Sequence, residues 1–164
     1  MAIFYNNSNS NSGRIIQIVG NQYTTAMTSS STSYVDTGLT QTITTKRAGS
    51  KLICILTQPF DCAANGLYAR VRFRVHRQIT GGSAGTFDGG GECEGIYIGA
   101  HTGSQHIRQY GTYTNIIFDP TGHINSGVDV TYKVQVHTDS ASSPDVRINY
   151  NGRHAHMEVL EMTQ

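Results

Sequence analysis

Charge is what this sequence holds least of. Only 14% of its 164 residues are Asp, Glu, Lys or Arg, and they cancel to a net +1. No bulk field draws such a chain to nucleic acid or to an anionic membrane, so neither is expected as a partner. Tryptophan is absent, and proline and cysteine occur three times each. Cys54, Cys62 and Cys93 form no Cys-x-x-Cys pair. An odd count argues against a full disulfide framework and for folding in a reducing cytosol. Leu, Lys and Glu are scarce, which removes the usual helix formers. No stretch approaches a membrane span in length, and Met1-Ala2-Ile3-Phe4-Tyr5 runs into an Asn/Ser tract with no basic region. No signal peptide is expected.

What the chain does have is Gly, Ser, Thr, Asn and Gln, the residues of turns and strands. Residues 1–13 read as a short extended arm, with Ile3, Phe4 and Tyr5 as an apolar head on an Asn/Ser tether. That head is an expected contact with a neighbouring subunit. Residues 14–164 read as one domain. Val71, Phe73 and Val75 alternate with Arg70, Arg72, Arg74 and His76; Tyr132, Val134 and Val136 alternate with Lys133, Gln135 and His137. Period two means strands with one buried face. Leu52 to Leu56 is apolar on both faces, which predicts a central strand covered on each side. Asn151-Gly152 predicts a type I′ hairpin, and Gly38 a turn. The glycine-rich stretch from Thr80 to Gly95 predicts a loop. Many short strands with regular turns predict an all-β fold, an antiparallel β-sandwich of jelly-roll type.

Few residues are arranged for chemistry. Arg70, Arg72 and Arg74 share a strand face about 6.6 Å apart, and with Arg77 they crowd four cations into eight positions. An anionic ligand is one reading. No aromatics interleave on that face, so a subunit or capsid contact is the expectation. His154-Ala155-His156 puts two imidazoles side by side, too few for a closed zinc site in one chain, and no metal is expected. Cys54 reads as a small buried hydrophobe. Glu92, Glu94 and Asp88 have no glycosidase or calcium-loop spacing, and no nucleophile elbow or phosphate-binding loop occurs. Neither a cofactor nor an enzymatic activity is expected.

The segment Ser33-Tyr34-Val35-Asp36-Thr37-Gly38-Leu39, followed by Ser50-Lys51-Leu52-Ile53, then Thr131-Tyr132-Lys133-Val134-Gln135 and a closing Met157-Glu158-Val159-Leu160-Glu161-Met162, resembles a family of small bacteriophage virion proteins. The resemblance extends over most of the chain from residue 14. It implies a virion protein, assembled in the host bacterial cytoplasm, whose partners are the major capsid protein or a tail protein and copies of itself as homotrimer or homodimer. A capsid decoration (cement) protein is the leading expectation. The alternative is a tail-fibre tip or baseplate-associated receptor-binding protein, with Tyr97, Tyr110 and Tyr113 facing a host glycan.

Overall fold

Alternating sequence becomes alternating burial wherever a strand has one face inward. The computed structural model describes residues 13–64, 69–80, 85–86, 93–98, 107–119, 125–138 and 145–163. The arm that carries Ile3, Phe4 and Tyr5 lies outside the described residues. Eleven strands follow in order: β1 (Ile15–Tyr23), β2 (Met27–Ser29), β3 (Val35–Thr44), β4 (Lys51–Ala64), β5 (Ala69–Ile79), β6 (Gly85–Thr86), β7 (Cys93–Ile98), β8 (Ile107–Asp119), β9 (Asp129–Thr138), β10 (Asp145–Ile148) and β11 (Ala155–Met162).

All pairings are antiparallel. In the first sheet β4 pairs along one edge with β8 and along the other with β11 and β10, which in turn pair with β1 and β2. In the second sheet β3 pairs with β9, β9 with β5, and β5 with β6 and β7. Three pairs of segments (β1/β2, β6/β7 and β10/β11) each continue one line along a shared neighbour, so the described residues run as eight strands. Their pairing is nested: first with eighth, second with seventh, third with sixth, fourth with fifth. This is the jelly roll, two four-stranded layers made by rolling one long hairpin.

The inward faces make a single core. Leu52, Cys54, Leu56 and Phe60 of β4 and Tyr113 and Ile117 of β8 meet Val71, Phe73 and Val75 of β5 and Val130, Tyr132, Val134 and Val136 of β9. Phe73 bridges the layers, 4.8 Å from the Phe60 ring and stacked at 5.0 Å on Tyr113. Offset stacking adds about 0.5–1.5 kcal/mol to the burial of the rings themselves.

Two turn expectations change. Gly38 lies within β3, where the register with β9 shifts between Asp36 and Thr40. The bulge turns Thr37 into the core, and its hydroxyl is shared between Gln58 Oε1 and the Val134 carbonyl, both at 3.1 Å. Gly38 has φ +90°, and a Cβ there would overlap the Tyr23 ring. Gly38→Ala is expected to cost about 1–3 kcal/mol through the left-handed backbone alone. A thermal midpoint equal to that of the parent chain would contradict this.

Asn151-Gly152 makes no hairpin. β10 and β11 run in the same direction along β4, so residues 149–154 form an outpocketing of one continuous line. Asn149 and Asn151 both take positive φ, 54° and 57°. Asparagine suits this because its side chain replaces lost backbone partners. Asn149 accepts from Gln58 Nε2 at 2.9 Å and donates to the Thr25 carbonyl at 3.2 Å, an anchored bulge in place of a chain reversal.

Candidate functional site

Strand alternation leaves two outer faces, and they differ in chemistry. On the first sheet the residues of β4 that point away from the core are Ile53, Ile55, Thr57 and Asp61. The register aligns Phe118, Ile53, Leu160 and Ile18 in one row across β8, β4, β11 and β1. The next row is Ile116, Ile55, Glu158 and Gly20. Phe118 is 69% exposed, Ile18 57% and Ile116 53%, with Ile15 at 45% at the margin. Singly these need no explanation; contiguous across four strands they form an apolar surface in open water. The expectation of a strand covered on both sides is thus half right. β4 is central, but around Ile53 and Ile55 no second layer covers its outer face, whereas Asp61 further along is buried.

The other end of the same face is polar and aromatic. Tyr110, Asp61, Arg147 and Thr28 align across β8, β4, β10 and β2. Asp61 is buried and holds Arg147 by two bonds, Nε–Oδ1 at 2.7 Å and Nη2–Oδ2 at 2.5 Å. The hydrogen bonds from Arg147 to Asp61 keep this guanidinium firmly protonated, against the opposing effect of burial. The outpocketing folds Tyr150 over it, with the guanidinium 3.4 Å from the ring centre. Arg153 stands 4.9 Å from the Tyr110 ring. Phe60, Asp61, Tyr110, Tyr150 and Arg153 line a shallow surface depression. It encloses no space for a small molecule, so this is a contact patch.

On the second sheet the outer face is basic and hydrogen-bonded. Arg74 donates from Nε to Gln135 at 2.8 Å and lies 3.8 Å over the Tyr34 ring, which also meets His137 edge-on at 4.2 Å. Gln135 and Lys133 both reach Asp36, at 2.7 and 3.3 Å. Burial acts to raise the Asp36 pKa, and these two donors outweigh it, so the carboxyl sits below its usual range.

The expected site residues therefore separate. Arg72 and Arg74 share this outer face; the side chain of Arg70 lies outside the described residues. Arg77 has the opposite parity, pointing between the sheets. The backbone of Tyr97 is in β7 and its side chain is outside the described residues. Tyr110 is 52% exposed on the outer face. Tyr113 corrects the expectation of a ligand-facing loop residue: three places on from Tyr110, it points into the core against Phe73. His154 and His156 are both exposed, the latter 3.7 Å from Glu158. Among the described residues, no three His, Cys, Asp or Glu side chains group as a metal site. Cys54 and Cys62 are free and buried, and burial first, then the Asp119 carboxylate, push the Cys54 thiol up to about 12. That keeps Cys54 a thiol, the inert small hydrophobe expected of it.

Sequence reasoning missed Ile18, Ile116, Phe118, Tyr150 and Arg153. A signal existed for Ile116 and Phe118. Ile116-Ile117-Phe118, like Leu52 to Leu56, is apolar on both faces, and two adjacent strands of that kind in one sheet mark a second face to cover.

No protein-family model matches the chain, and no curated protein matches its sequence. Among solved structures it is similar to two of infectious bursal disease virus, from the Gt and Gx strains, at 10% and 8% identity with TM-scores of 0.39 and 0.38. Each match covers 93% of this chain but only 39% and 38% of the viral chains, about two fifths of their length. A likeness this loose assigns neither family nor function.

Proposed function

We propose that the chain is a non-enzymatic structural protein of a virus particle, a bacteriophage capsid decoration or cement protein. The observation that carries this reading is the uncovered apolar face around Phe118, Ile116 and Ile18. A lone soluble monomer gains nothing from such a face, whereas a subunit buries it on assembly. The buried acids fit the same reading because each is used as a fastener: Asp61 on Arg147, Asp119 on Arg77 and Tyr132, Glu161 on backbone amides. The Ile3-Phe4-Tyr5 head and the Arg72/Arg74 face are the contacts offered to the major capsid protein. Stabilisation would follow from mass action, since interface buried only in the assembled shell favours that state.

The test is the copy number of the chain in purified particles of the virus that encodes it, by mass spectrometry against the major capsid protein. Many dozens to hundreds of copies are expected. Absence from purified particles overturns the reading. A few copies per particle moves it to the tail, where a receptor-binding role has its own support. Tyr110 and Tyr150, with Arg153 beside them, offer aromatic area and a cation of the kind that contacts surface glycans.

A further inference from the structure

The apolar face calls for an occupant, and the described surface contains one of matching chemistry. We propose that the outer face formed by β8, β4, β11 and β1 is the interface of a homodimer, in which two copies stack this face on itself about a two-fold axis. The proposal rests on the reading of the chain as an assembling subunit, and it names the first partner as a second copy.

The area agrees. A large apolar residue offers about 200 Å² in the open. The exposures of Phe118, Ile18, Ile116 and Ile15 then amount to about 450 Å² per copy, or about 900 Å² for two. A standard interface buries about 1,600 Å², of which about 60% is apolar, or about 950 Å². The patch is therefore of the size that a self-contact needs without further apolar surface.

The chemistry agrees as well. Within the two apolar rows the one ionisable residue is Glu158, at half exposure; the adjoining rows supply His156 on one side and Lys51, in the row of Ile15, on the other. An isologous contact sets the same patch against itself, so isoleucine and phenylalanine meet isoleucine and phenylalanine. A polar partner such as a glycan or nucleic acid would lose hydration against these side chains without gaining hydrogen bonds. A net charge of +1 sets up little repulsion between copies. The stack would also repeat the sheet-on-sheet geometry within each subunit, about 10 Å between layers.

Sedimentation analysis of the full chain from low micromolar to about 100 µM tests this. The expected species is twice the 17.8 kDa chain mass. Phe118→Ser and Ile116→Ser should each raise the dissociation constant at least about thirtyfold, the effect of losing one of the patch's most exposed apolar anchors. Both sites are exposed, so the thermal midpoint of the dissociated subunit should hold. As an independent readout, Ile55→Cys near the patch centre should cross-link between copies under mild oxidation. A wild-type monomer at the highest concentration overturns the proposal. So does an oligomer that ignores both serine variants, because its contact is then elsewhere. A monomer still abundant in virus particles would remove the self-contact and leave the structural role standing. A dimer absent from particles would do the reverse.

Discussion

Asp119→Ala is expected to lower folding stability by about 3–5 kcal/mol, the loss seen when one partner of a buried ion pair is removed. Asp119 ends β8 in the first sheet, and its side chain is fully buried. Arg77 of β5, from the second sheet, donates to both of its oxygens at 2.7 and 2.8 Å. The hydroxyl of Tyr132, itself fully buried on β9, donates to Oδ2 at 2.7 Å. One carboxylate thus joins three strands across the gap between the layers. Alanine would remove the carboxylate that both the guanidinium and the phenol bond. In the parent chain burial, and then the neighbouring carboxylate, strongly disfavour the Tyr132 phenolate, so the phenol stays a donor to Asp119. Urea unfolding measures the effect; a loss under about 1 kcal/mol would mean that Arg77 reaches water instead. Asp119→Asn keeps the shape and one acceptor and should lose less.

Glu161 gives the second large effect, and it carries a pH signature. Fully buried on β11, it accepts from the Lys46 amide at 2.9 Å, the Arg47 amide at 3.0 Å, the Ser50 hydroxyl at 2.5 Å and the Gln17 amide at 2.7 Å. It pins the β3–β4 connection to the last strand. Glu161→Ala should cost about 3 kcal/mol or more, because two backbone amides lose a charged acceptor. Burial pushes the carboxyl pKa up, but the Ser50 hydroxyl, the two backbone amides and Gln17 together outweigh it and hold it below the usual range. A depressed folded-state pKa means the stabilisation is whole above the unfolded value of about 4.3 and fades as pH falls through the lower folded value. The parent chain should therefore lose stability below pH ~4 more steeply than Glu161→Gln. Parallel stability curves for the two proteins would count against this role.

The sequence was legible where a residue's own neighbours decide its environment. Val71, Phe73 and Val75 announce β5 because period two needs no partner to be read. The stretches that carried the expected family resemblance prove to be folding devices. Thr37 and Gly38 make the β3 bulge, Tyr132 and Glu161 fasten strands, and Asp36, Lys133 and Gln135 lock one outer face. Their pattern therefore spoke to fold. What stayed hidden depends on long-range register. Ile53 and Ile55 look alike whether a second layer covers them or water does. Arg77 belongs to the same run as Arg72 and Arg74, yet its odd position turns it inward. Asn151-Gly152 permits positive φ equally in a hairpin and in a bulge, and only the pairing of both flanking strands with β4 tells them apart.

The nested pairing sets when this protein can begin to be itself. The Gly13 amide bonds the Thr163 carbonyl at 2.8 Å, and β1 lies along β11. The first strand's partner thus lies more than a hundred positions later in the chain. The hairpin tip, β5 with β6 and β7, can pair early, but the outer turns of the roll must wait for residues 85 to 147 positions later. Loop-closure entropy on that scale makes refolding slow, in the range of milliseconds to seconds. During synthesis the apolar strands β4 and β8 stand ready well before β11 arrives to separate β4 from β1. Chaperone demand, and the yield of soluble protein, should then respond to changes in β11 more sharply than to equal changes in β5.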